Sequence, residues 1–452
     1  MEQLAELREV VAKQGAEIER LKAKRPKTSR NSSKSPSGDG PWSKRHPSPK
    51  PKSGKKQGGQ PGHTGNSRKP VEPGEVDEVK QVKPTHCEAC AEPLTGDDPS
   101  PRVHQVIDIP PVNPVVVGYE IHALTCACCG ETTKGELPPE VHQSSFGPNV
   151  SALVVLLSGE YRMSRRNIQR LLADSHGIEI SLGAISNIEG RMTKGLAGAH
   201  AEAKASVAAS ATKHLDETSW RESNELAWLW TAVGEEATVF VIRDTRSSSV
   251  AVELIGEEPS GVVVSDRYSG YSFINQDQRQ VCLAHLIRDF RRMAEGEKDL
   301  RWIGLRLLGL IDALFRLWHQ YQAEVIDRSS LKRWSRPIRT RMVQLLDQGA
   351  TSRGYETPSM CRGILKTEQA IWTFIHRDGV EPTNNVAERA IRPAVIHRKT
   401  SLGTQSDRGS RFVERMQTVS ATLKQTGRSI SKFVHGVAQA VLAGGPEPRL
   451  LQ

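Results

Sequence analysis

The central sheet is specified by HLDETSWRE (residues 214–222), ELAWLWTAVGE (225–235), TVFVIRDTR (238–246) and GVVVSDRYSGY (261–271). The first three stretches alternate apolar and polar side chains with a period of two, which predicts half-buried strands joined by tight turns. A short helix is expected over residues 248–255. The apolar run after that helix predicts a buried strand that ends at an aspartate.

The order of these elements is that of the start of an RNase H-like fold, in which the fourth strand lies beside the first. Asp216 is then expected on the first strand and Asp266 just past the fourth. Their carboxylates converge at one edge of such a sheet, although the two residues are far apart in sequence. Two carboxylates are a weak signal on their own, because an aspartate after a strand is also common turn chemistry.

A third acid follows in PTNNVAERAIRP (residues 382–393). Either Thr383 or Asn384 is expected to cap a helix that carries Glu388, and Pro393 is expected to end or kink that helix. Two carboxylates from strands and a third from a helix are the hard oxygen ligands that paired Mg²⁺ or Mn²⁺ ions require. The three acids therefore predict a two-metal site for phosphodiester chemistry.

Two cysteine pairs that precede this region predict a structural zinc ion. The expected ligands are Cys87, Cys90, Cys126 and Cys129. Each CxxC knuckle offers two thiolates, and a β-rich stretch over residues 103–124 is expected to bring the knuckles together in a zinc ribbon. Free buried thiols are the alternative, and Cys128 or His86 offers a different choice of ligand.

Residues 148–192 predict three short helices. The first runs to about Tyr161. Ser164 is expected to cap the second, and Ser181 to cap the third after a turn at His176–Gly177. Short helices, a glycine turn and nearby arginines indicate a helix-turn-helix that binds DNA, although a plain helical bundle gives the same pattern.

The excess positive charge of the chain lies in one arm. The net charge is +10, yet residues 20–69 hold 15 basic residues and one acid, which leaves 47 basic and 51 acidic residues elsewhere. The arm is rich in Pro, Gly, Ser and Lys, which predicts a disordered segment that binds a polyanion such as DNA. A solvated linker is the alternative.

Seven basic side chains are candidates for DNA contacts. They lie in the arm, in the expected helix-turn-helix and beside the third acid: Lys55, Lys56, Arg165, Arg166, Arg170, Arg389 and Arg392. The last two either hold a phosphate or pair with Glu388.

Composition excludes several classes of protein. The longest apolar run, around residues 150–157, is far shorter than the roughly 18–20 residues of a membrane span. The acidic, amphipathic start is unlike a secretory signal peptide, so we expect a cytoplasmic protein whose seven cysteines are reduced. Heptad spacing of apolar residues over 4–21 predicts a short assisting coiled coil, or an amphipathic helix docked on its own chain.

Glu388 lies 122 positions after Asp266, a separation larger than one crossover connection needs. Helical periodicity over about 295–375 predicts an inserted helical subdomain. Its four tryptophans either contact DNA or fill the core. They are Trp302, Trp318, Trp334 and Trp372.

The motifs HLDET, SDRYSGY and NNVAERAIRP, preceded by GQPGHTG and two CxxC knuckles, together resemble those of bacterial DDE transposases. The chain is similar to the insertion sequence sixty-six family over nearly its whole length. The resemblance implies DNA transposition, by a cut-and-paste or a copy route, with Asp216, Asp266 and Glu388 as the metal-binding triad. It also implies a CxxH motif, here Cys282 and His285, which either supports the site from behind or is a buried thiol with a core or capping histidine.

We therefore predict a multidomain α/β protein whose RNase H-like catalytic domain has an α-helical insertion and is preceded by a zinc ribbon and a helix-turn-helix. The expected boundaries are 1–25 for the coiled coil, 26–80 for the arm, 81–140 for the zinc ribbon, 141–200 for the helix-turn-helix, 205–405 for the catalytic domain and 406–452 for two C-terminal helices.

The predicted function is that of a transposase that cleaves and joins DNA strands with Mg²⁺ or Mn²⁺. Its expected partners are transposon terminal inverted repeats, target DNA, at least one further copy of itself and, from the resemblance, small accessory proteins. We expect it to be associated with the bacterial nucleoid. A DNA-binding regulator with an inactive catalytic domain and a non-transposing nuclease are the alternatives.

Overall fold

The computed structural model describes residues 68–451 without a break and also residues 14, 28, 31 and 62–64. The predicted coiled coil and most of the predicted basic arm, with Lys55 and Lys56, lie outside the described residues. The described residues form two compact units, a small one that ends at Val115 and a large one that contains Val116 and all later residues.

The large unit mixes α-helices and β-strands, with helices in the majority, as predicted. Its helices are α1 (Pro148–Val155), α2 (Arg165–His176), α3 (Leu182–Gly195), α4 (Ala197–Ala209), α5 (Ser248–Ile255), α6 (Leu283–Glu295), α7 (Arg301–Gln322), α8 (Arg328–Thr351), α9 (Glu356–Leu365), α10 (Thr373–His376), α11 (Asn385–Ser401), α12 (Asp407–Gln425) and α13 (Ile430–Ala443). Its strands are β1 (Ala123–Thr125), β2 (Thr132–Lys134), β3 (Thr212–Glu222), β4 (Glu225–Val233), β5 (Thr238–Arg243), β6 (Val262–Ser265) and β7 (Arg279–Val281). None of the described helices is long and apolar enough to cross a membrane.

Five strands form the main sheet in the order β5-β4-β3-β6-β7. The strands β3, β4 and β5 are antiparallel neighbours, whereas β6 and β7 run parallel to β3. The three predicted strands, the helix after them and the fourth strand beside the first are therefore confirmed. Because His214 pairs with Val264, Asp216 and Asp266 each lie two residues further along parallel strands and reach the same edge.

Alternation along β3 sends its side chains into two different cores. Leu215 joins the larger core, on the face that α4 and α5 cover. Trp220 joins a smaller core on the opposite face, with Ile391 of α11 and Val413 of α12. Since side chains two residues apart share a face, Asp216 lies on the side of the sheet that α11 covers.

Helix α12 covers the edge of the sheet at strand β5. Side chains four residues apart on α12 accept hydrogen bonds from backbone N–H groups two residues apart on β5: Glu414 from Ile242, Thr418 from Phe240 at 3.0 Å and Thr422 from Thr238 at 3.1 Å. A bare edge strand is a template for unwanted pairing with another chain. The helix therefore takes the place of a sixth strand.

Helices α1 to α4 share one core with the sheet and with the C-terminal helices α12 and α13. The predicted caps are confirmed, since Ser164 Oγ accepts from the Asn167 N–H at 3.2 Å and Ser181 Oγ from the Ala184 N–H at 3.1 Å. Gly177 makes the turn between α2 and α3 with φ of 62°. This geometry suits a helix-turn-helix and a plain bundle alike, so DNA binding by these helices stays a prediction.

The segment between β7 and α11 is helical, as predicted for the insertion. Helices α7, α8 and α9 pack around a core that continues into the sheet through Val264. Trp318 and Trp372 are core residues, with 8% and 2% of their surface exposed, whereas Trp302 and Trp334 are 37% and 41% exposed. The core interpretation is therefore right for two tryptophans and wrong for the other two.

The expectation of a β-rich stretch between the cysteine pairs is wrong except at its end. Residues 101–122 contain no strand, and the pairing there is confined to the short strands β1 and β2. Pro110, Pro111 and Pro114 lack the N–H group that a β-ladder needs. Many apolar side chains of this stretch consequently remain exposed.

Of the two outcomes expected at Pro393, an end or a kink of the helix, the end is not observed, because α11 continues beyond it. Ile391 and Ala394 are buried against the sheet on either side of the proline. This packing offsets the cost of an interior proline, which is about 3 kcal/mol. The polar segment 397–412 is a loop only over residues 402–406, since its other residues belong to α11 and α12.

Candidate active site

The three predicted acids converge at one edge of the sheet. Asp216 lies on β3, Asp266 follows β6 directly and Glu388 lies in the first turn of α11. Burial raises the pKa of Asp216 well above its usual range, and the negative charges of Glu217, Asp266 and Glu388 raise it further. The carboxylates are therefore close enough to repel one another, and this repulsion favours binding of a cation among them.

Hydrogen bonds on both sides hold the loop that carries Asp266. Its Oδ1 accepts from the Tyr268 backbone N–H at 2.9 Å, and its carbonyl oxygen accepts from Nη2 of Arg279 at 2.7 Å. Arg279 is buried and also donates to the carbonyl of Tyr271 at 3.1 Å. The backbone at Asp266 is thus fixed before any ligand arrives.

Asn384 fastens the helix of the third acid to the strand of the first. Its Nδ2 donates to the Leu215 carbonyl at 2.7 Å, and its Oδ1 accepts from His214 Nδ1 at 3.1 Å. Its backbone N–H donates to Cys282 Sγ at 3.1 Å. The side chain occupies the N-cap position of α11 but makes no capping bond, which corrects the expected role. Only 1% of Asn384 is exposed.

The predicted CxxH pair lies against Glu388. Cys282, His285 and Glu388 offer ligand atoms that all lie within 4.8 Å of one another, so they could hold one metal ion. Burial raises the pKa of the Cys282 thiol to about 11, so at neutral pH it stays protonated unless a metal displaces the proton. The hydrogen bond from Asn384 to Cys282 is also what a supporting role requires.

Basic groups of α6 face the third acid. Oε1 of Glu388 lies 3.7 Å from Nδ1 of His285 and 3.6 Å from Nη2 of Arg288. Oε1 and Nδ1 are both buried without a hydrogen-bond partner in the described part of the chain. Because these distances exceed a hydrogen bond, Glu388 keeps ligand capacity. Arg288 was not among the predicted site residues. Its helical spacing from His285 was the one feature of the sequence that could have indicated it.

A fourth carboxylate, Glu217, was also missed. Its Oε1 accepts from Nε of Arg246 at 2.9 Å, and its Oε2 accepts from the Tyr271 hydroxyl. The guanidinium of Arg246 lies 3.9 Å from the ring centre of Tyr268 and 4.8 Å from that of Trp228. Both carboxylate oxygens of Glu217 are therefore held by fixed partners within the protein. Adjacent residues of a strand point to opposite faces of the sheet, so the sequence already placed Glu217 on the face opposite Asp216.

The predicted DNA-contacting arginines differ in their surroundings. Arg165 is bound to Glu189 of α3, with 2.9 Å between Nε and Oε2. The other four predicted arginines are exposed and form no ion pair with a described acid. They are Arg166, Arg170, Arg389 and Arg392. The alternative in which Arg389 or Arg392 pairs with Glu388 is therefore not observed, and both remain free to hold a phosphate.

The two cysteine pairs adopt the same turn. The Ala91 N–H donates to the Cys87 carbonyl and the Gly130 N–H to the Cys126 carbonyl, both at 2.9 Å. Ala91 and Gly130 have positive φ of 61° and 76°. Each turn therefore presents its own CxxC pair in the same backbone geometry.

Backbone N–H groups within each turn lower the pKa of the first thiol, Cys87 or Cys126. In the second turn the side chain that hydrogen-bonds to Cys126 is Cys129 rather than Cys128. This favours the CxxC ligand choice over the alternative with Cys128. The pairs lie in different units, so their binding of a common zinc ion stays a prediction.

Comparison with known families identifies the large unit. The family described as "Transposase IS66 family" matches residues 143–412, which include all three acids, the CxxH pair and Asn384. The chain belongs to this family. The match begins before α1 and ends within α12, so it covers the whole main sheet and the insertion of this transposase.

Two further similarities extend the comparison. The transposase is 24% identical to "Uncharacterized protein y4hP" of Sinorhizobium fredii (strain NBRC 101917 / NGR234) over 381 residues, 75% of this chain and 68% of the relative. It is 26% identical to "Uncharacterized protein y4qI" of the same organism over 229 residues, 44% of this chain and 41% of that relative. Residues 1–69 match a "Family of unknown function (DUF6444)".

Proposed function

We propose that this protein binds transposon ends and catalyses metal-dependent cleavage and strand transfer of DNA. The observation that carries the proposal is the convergence of Asp216, Asp266 and Glu388 at one edge of the sheet, inside the region matched by the transposase family. We assign the sheet with its flanking helices to the RNase H-like class. Its strand order and the position of both aspartates support this assignment.

The residues present suit divalent ions such as Mg²⁺ or Mn²⁺. The donors are carboxylate oxygens, the charges of Asp266 and Glu388 oppose ionisation of Asp216, and Oε1 of Glu388 has no hydrogen-bond partner among the described residues. A divalent cation prefers such oxygen donors, offsets the repulsion between the carboxylates and gives Oε1 of Glu388 a partner. When bound, the ions activate a water or a 3′-hydroxyl and stabilise the leaving oxygen of a phosphodiester.

The protein's own groups orient the reaction. Asn384 keeps Glu388 at a constant position relative to Asp216, and Arg279 fixes the backbone at Asp266. Arg389 and Arg392 contact the DNA phosphate next to the one that reacts. No side chain acts as a covalent nucleophile in this scheme, because water opens the first strand and the freed 3′-hydroxyl attacks the target.

DNA recognition is assigned to the remaining elements. Helices α2 and α3, with Arg166 and Arg170, form the helix-turn-helix, and the four cysteines of the two turns hold zinc. The basic arm with Lys55 and Lys56 adds salt-dependent affinity without sequence preference. Joining two transposon ends requires at least two copies of the protein, and small accessory proteins of the same element are further proposed partners.

The test compares Asp266→Asn with Asp277→Asn, an exposed aspartate in the following loop. The substrate is a duplex that carries a terminal repeat of the element that encodes the protein, with Mg²⁺ or Mn²⁺. Asp266→Asn should abolish nicking and joining while the affinity for DNA stays within about twofold, and Asp277→Asn should react like the wild type. Full cleavage by Asp266→Asn would refute the triad.

The same assay separates the alternatives. Hydrolysis without joining of the ends would identify a nuclease. Specific binding of the repeat with no cleavage in either metal would identify a regulator with an inactive site.

A further inference from the structure

Helix α8 of the insertion carries basic side chains that no acid neutralises. Between residues 328 and 346 it contains six basic residues and no acidic one. Two of the six are paired, Arg328 with Asp378 at 2.6 Å and Arg339 with Glu368 at 2.7 Å. In the described part of the chain, no carboxylate pairs with the other four, which are Lys332, Arg333, Arg336 and Arg341.

Three of these residues, Arg333, Arg336 and Arg341, form what we call the α8 stripe. All three are exposed, and at about 100° per residue they fall within an arc of about 140°, which is one side of the helix. The opposite side is buried in the bundle through Leu331, Met342 and Leu345. At the α-helical rise of about 1.5 Å per residue, the stripe is about 12 Å long.

The positive charge of α8 reaches a neighbouring residue. Burial lowers the pKa of His376, and the charges of Lys332, Arg339, Arg328 and Arg336 lower it further. Two of these four cations, Lys332 and Arg336, form no ion pair with a described acid. An aromatic side chain, Trp334, is 41% exposed beside them.

The stripe is rigidly connected to the candidate active site. Leu331 and Met342 of α8 belong to the same buried cluster as Val264 of β6, which lies two residues before Asp266. A molecule held on the stripe is therefore held at a constant distance from the acids.

We propose that the α8 stripe binds the phosphate backbone of double-stranded DNA. Guanidinium groups match phosphate geometry, and an uncompensated row of them binds a polyanion through release of its counterions. The contact carries no sequence information, because the side chains meet phosphates and not base edges. The inference rests on the proposed function, to which it adds a DNA-contacting surface in the helical insertion.

The test removes three charges from the stripe and three from a control surface of the same bundle. The stripe variant is Arg333→Ala, Arg336→Ala, Arg341→Ala. The control is Lys298→Ala, Arg306→Ala, Arg316→Ala, which are exposed residues interspersed with Asp299 and Asp312. Dissociation constants of the full chain are measured across a salt series, with a terminal-repeat duplex and with an unrelated duplex.

The stripe variant should bind both duplexes more weakly by the same factor, up to roughly 100-fold at 0.15 M salt. The slope of log affinity against log salt should fall by up to about 2.7, and by about 0.9 for Arg336→Ala alone. The control variant should bind like the wild type. Equal behaviour of the stripe and control variants, or loss confined to the terminal-repeat duplex, would overturn the inference.

Failure of the inference and failure of the proposed function give different results. A wild type that binds duplex DNA through the stripe but never cleaves refutes the function alone. A wild type that cleaves, with binding unaffected in the stripe variant, refutes the stripe alone. A wild type that binds no duplex refutes both.

Discussion

At the scale of single residues, Asn384 connects more parts of the candidate site than any acid does. It bonds to β3 through the Leu215 carbonyl and to the turn before α6 through Cys282. A buried amide with all these partners orients the backbone on either side of it, because any displacement breaks several hydrogen bonds together. Asn384 is therefore a positioning residue for Glu388.

Asn384→Ala should lower the free energy of unfolding by about 2–4 kcal/mol, because it leaves the Leu215 carbonyl and the His214 ring buried without partners. The same change should reduce DNA cleavage at least tenfold and raise the Mg²⁺ concentration needed for half-maximal rate. Asn385→Ala, at the exposed next position, is the control and should change neither. Chemical unfolding and a Mg²⁺ titration of cleavage measure the two effects. Unchanged metal dependence in a folded Asn384→Ala protein would exclude a positioning role.

His397 makes the stability of the fold depend on pH. Burial, and then the charge of Arg162, lower its pKa to about 4. The folded state therefore binds fewer protons than the unfolded state between about pH 6.5 and 4, so stability is present above this range and is lost as pH falls through it. The loss attributable to His397 should approach roughly 3 kcal/mol. His397→Gln should reduce that pH dependence in urea unfolding, whereas His319→Gln, at an exposed position, should leave it unchanged.

At the scale of elements, the hydrogen bonds between α12 and β5 stabilise the edge of the sheet. Thr418→Val keeps the shape of the side chain but leaves the N–H of buried Phe240 unpaired. We expect a loss of about 1–3 kcal/mol in the free energy of unfolding. Thr400→Val, on an exposed position of α11, is the matched control. Equal stability of the two variants would show that the edge of β5 does not depend on α12.

The two cysteine turns predict a particular pattern of zinc content. Cys129→Ser should lose bound zinc, because Cys129 completes the second CxxC pair, whereas Cys128→Ser should retain it. Cys361→Ser changes a buried thiol far from both turns in sequence and is a further control. Metal analysis of the purified full chain gives the stoichiometry. Loss of zinc in Cys128→Ser with retention in Cys129→Ser would reverse the ligand assignment.

At the scale of the whole molecule, helices α1 to α4 and the sheet share one core, so we expect them to unfold together. Their side chains form a single buried cluster together with α12 and α13. The tryptophans of the described residues all lie from Trp220 onward, in the sheet and the insertion, and none lies in α1 to α4. Tryptophan fluorescence therefore reports on the sheet and the insertion rather than on the N-terminal helices.

Leu172→Ala, in the fully buried part of α2, tests this cooperativity. It should lower the free energy of unfolding by about 2–5 kcal/mol and shift the fluorescence and helix transitions together. Leu182→Ala, a partly exposed leucine at the start of α3, should have a much smaller effect. If Leu172→Ala left the midpoint of the fluorescence transition unchanged, the helices would fold independently of the sheet.

Local patterns in the chain were sufficient for the strands of the main sheet up to β6 and for the helix caps at Ser164 and Ser181, and they located the two cysteine turns. The three acids were named from the same patterns, and their catalytic role stays a prediction. Periodicity and capping act within a few residues, so a linear sequence displays them directly. The sheet order also followed, because few topologies join three antiparallel strands to a parallel fourth.

Other features depend on contacts between distant residues and emerged only with the tertiary structure. Asn384 was expected to cap its own helix, yet its side chain bonds 169 and 170 positions away, to Leu215 and His214. The helix α11 continues past Pro393, where one expected outcome was its end, because Ile391 and Ala394 pack against the sheet. The sequence of α8 does not show which of its basic residues are paired. Only the tertiary structure brings acids to Arg328 and Arg339 and leaves the stripe without them. The physical reason is common to all three: local preferences amount to a few kcal/mol, and packing against another element outweighs them.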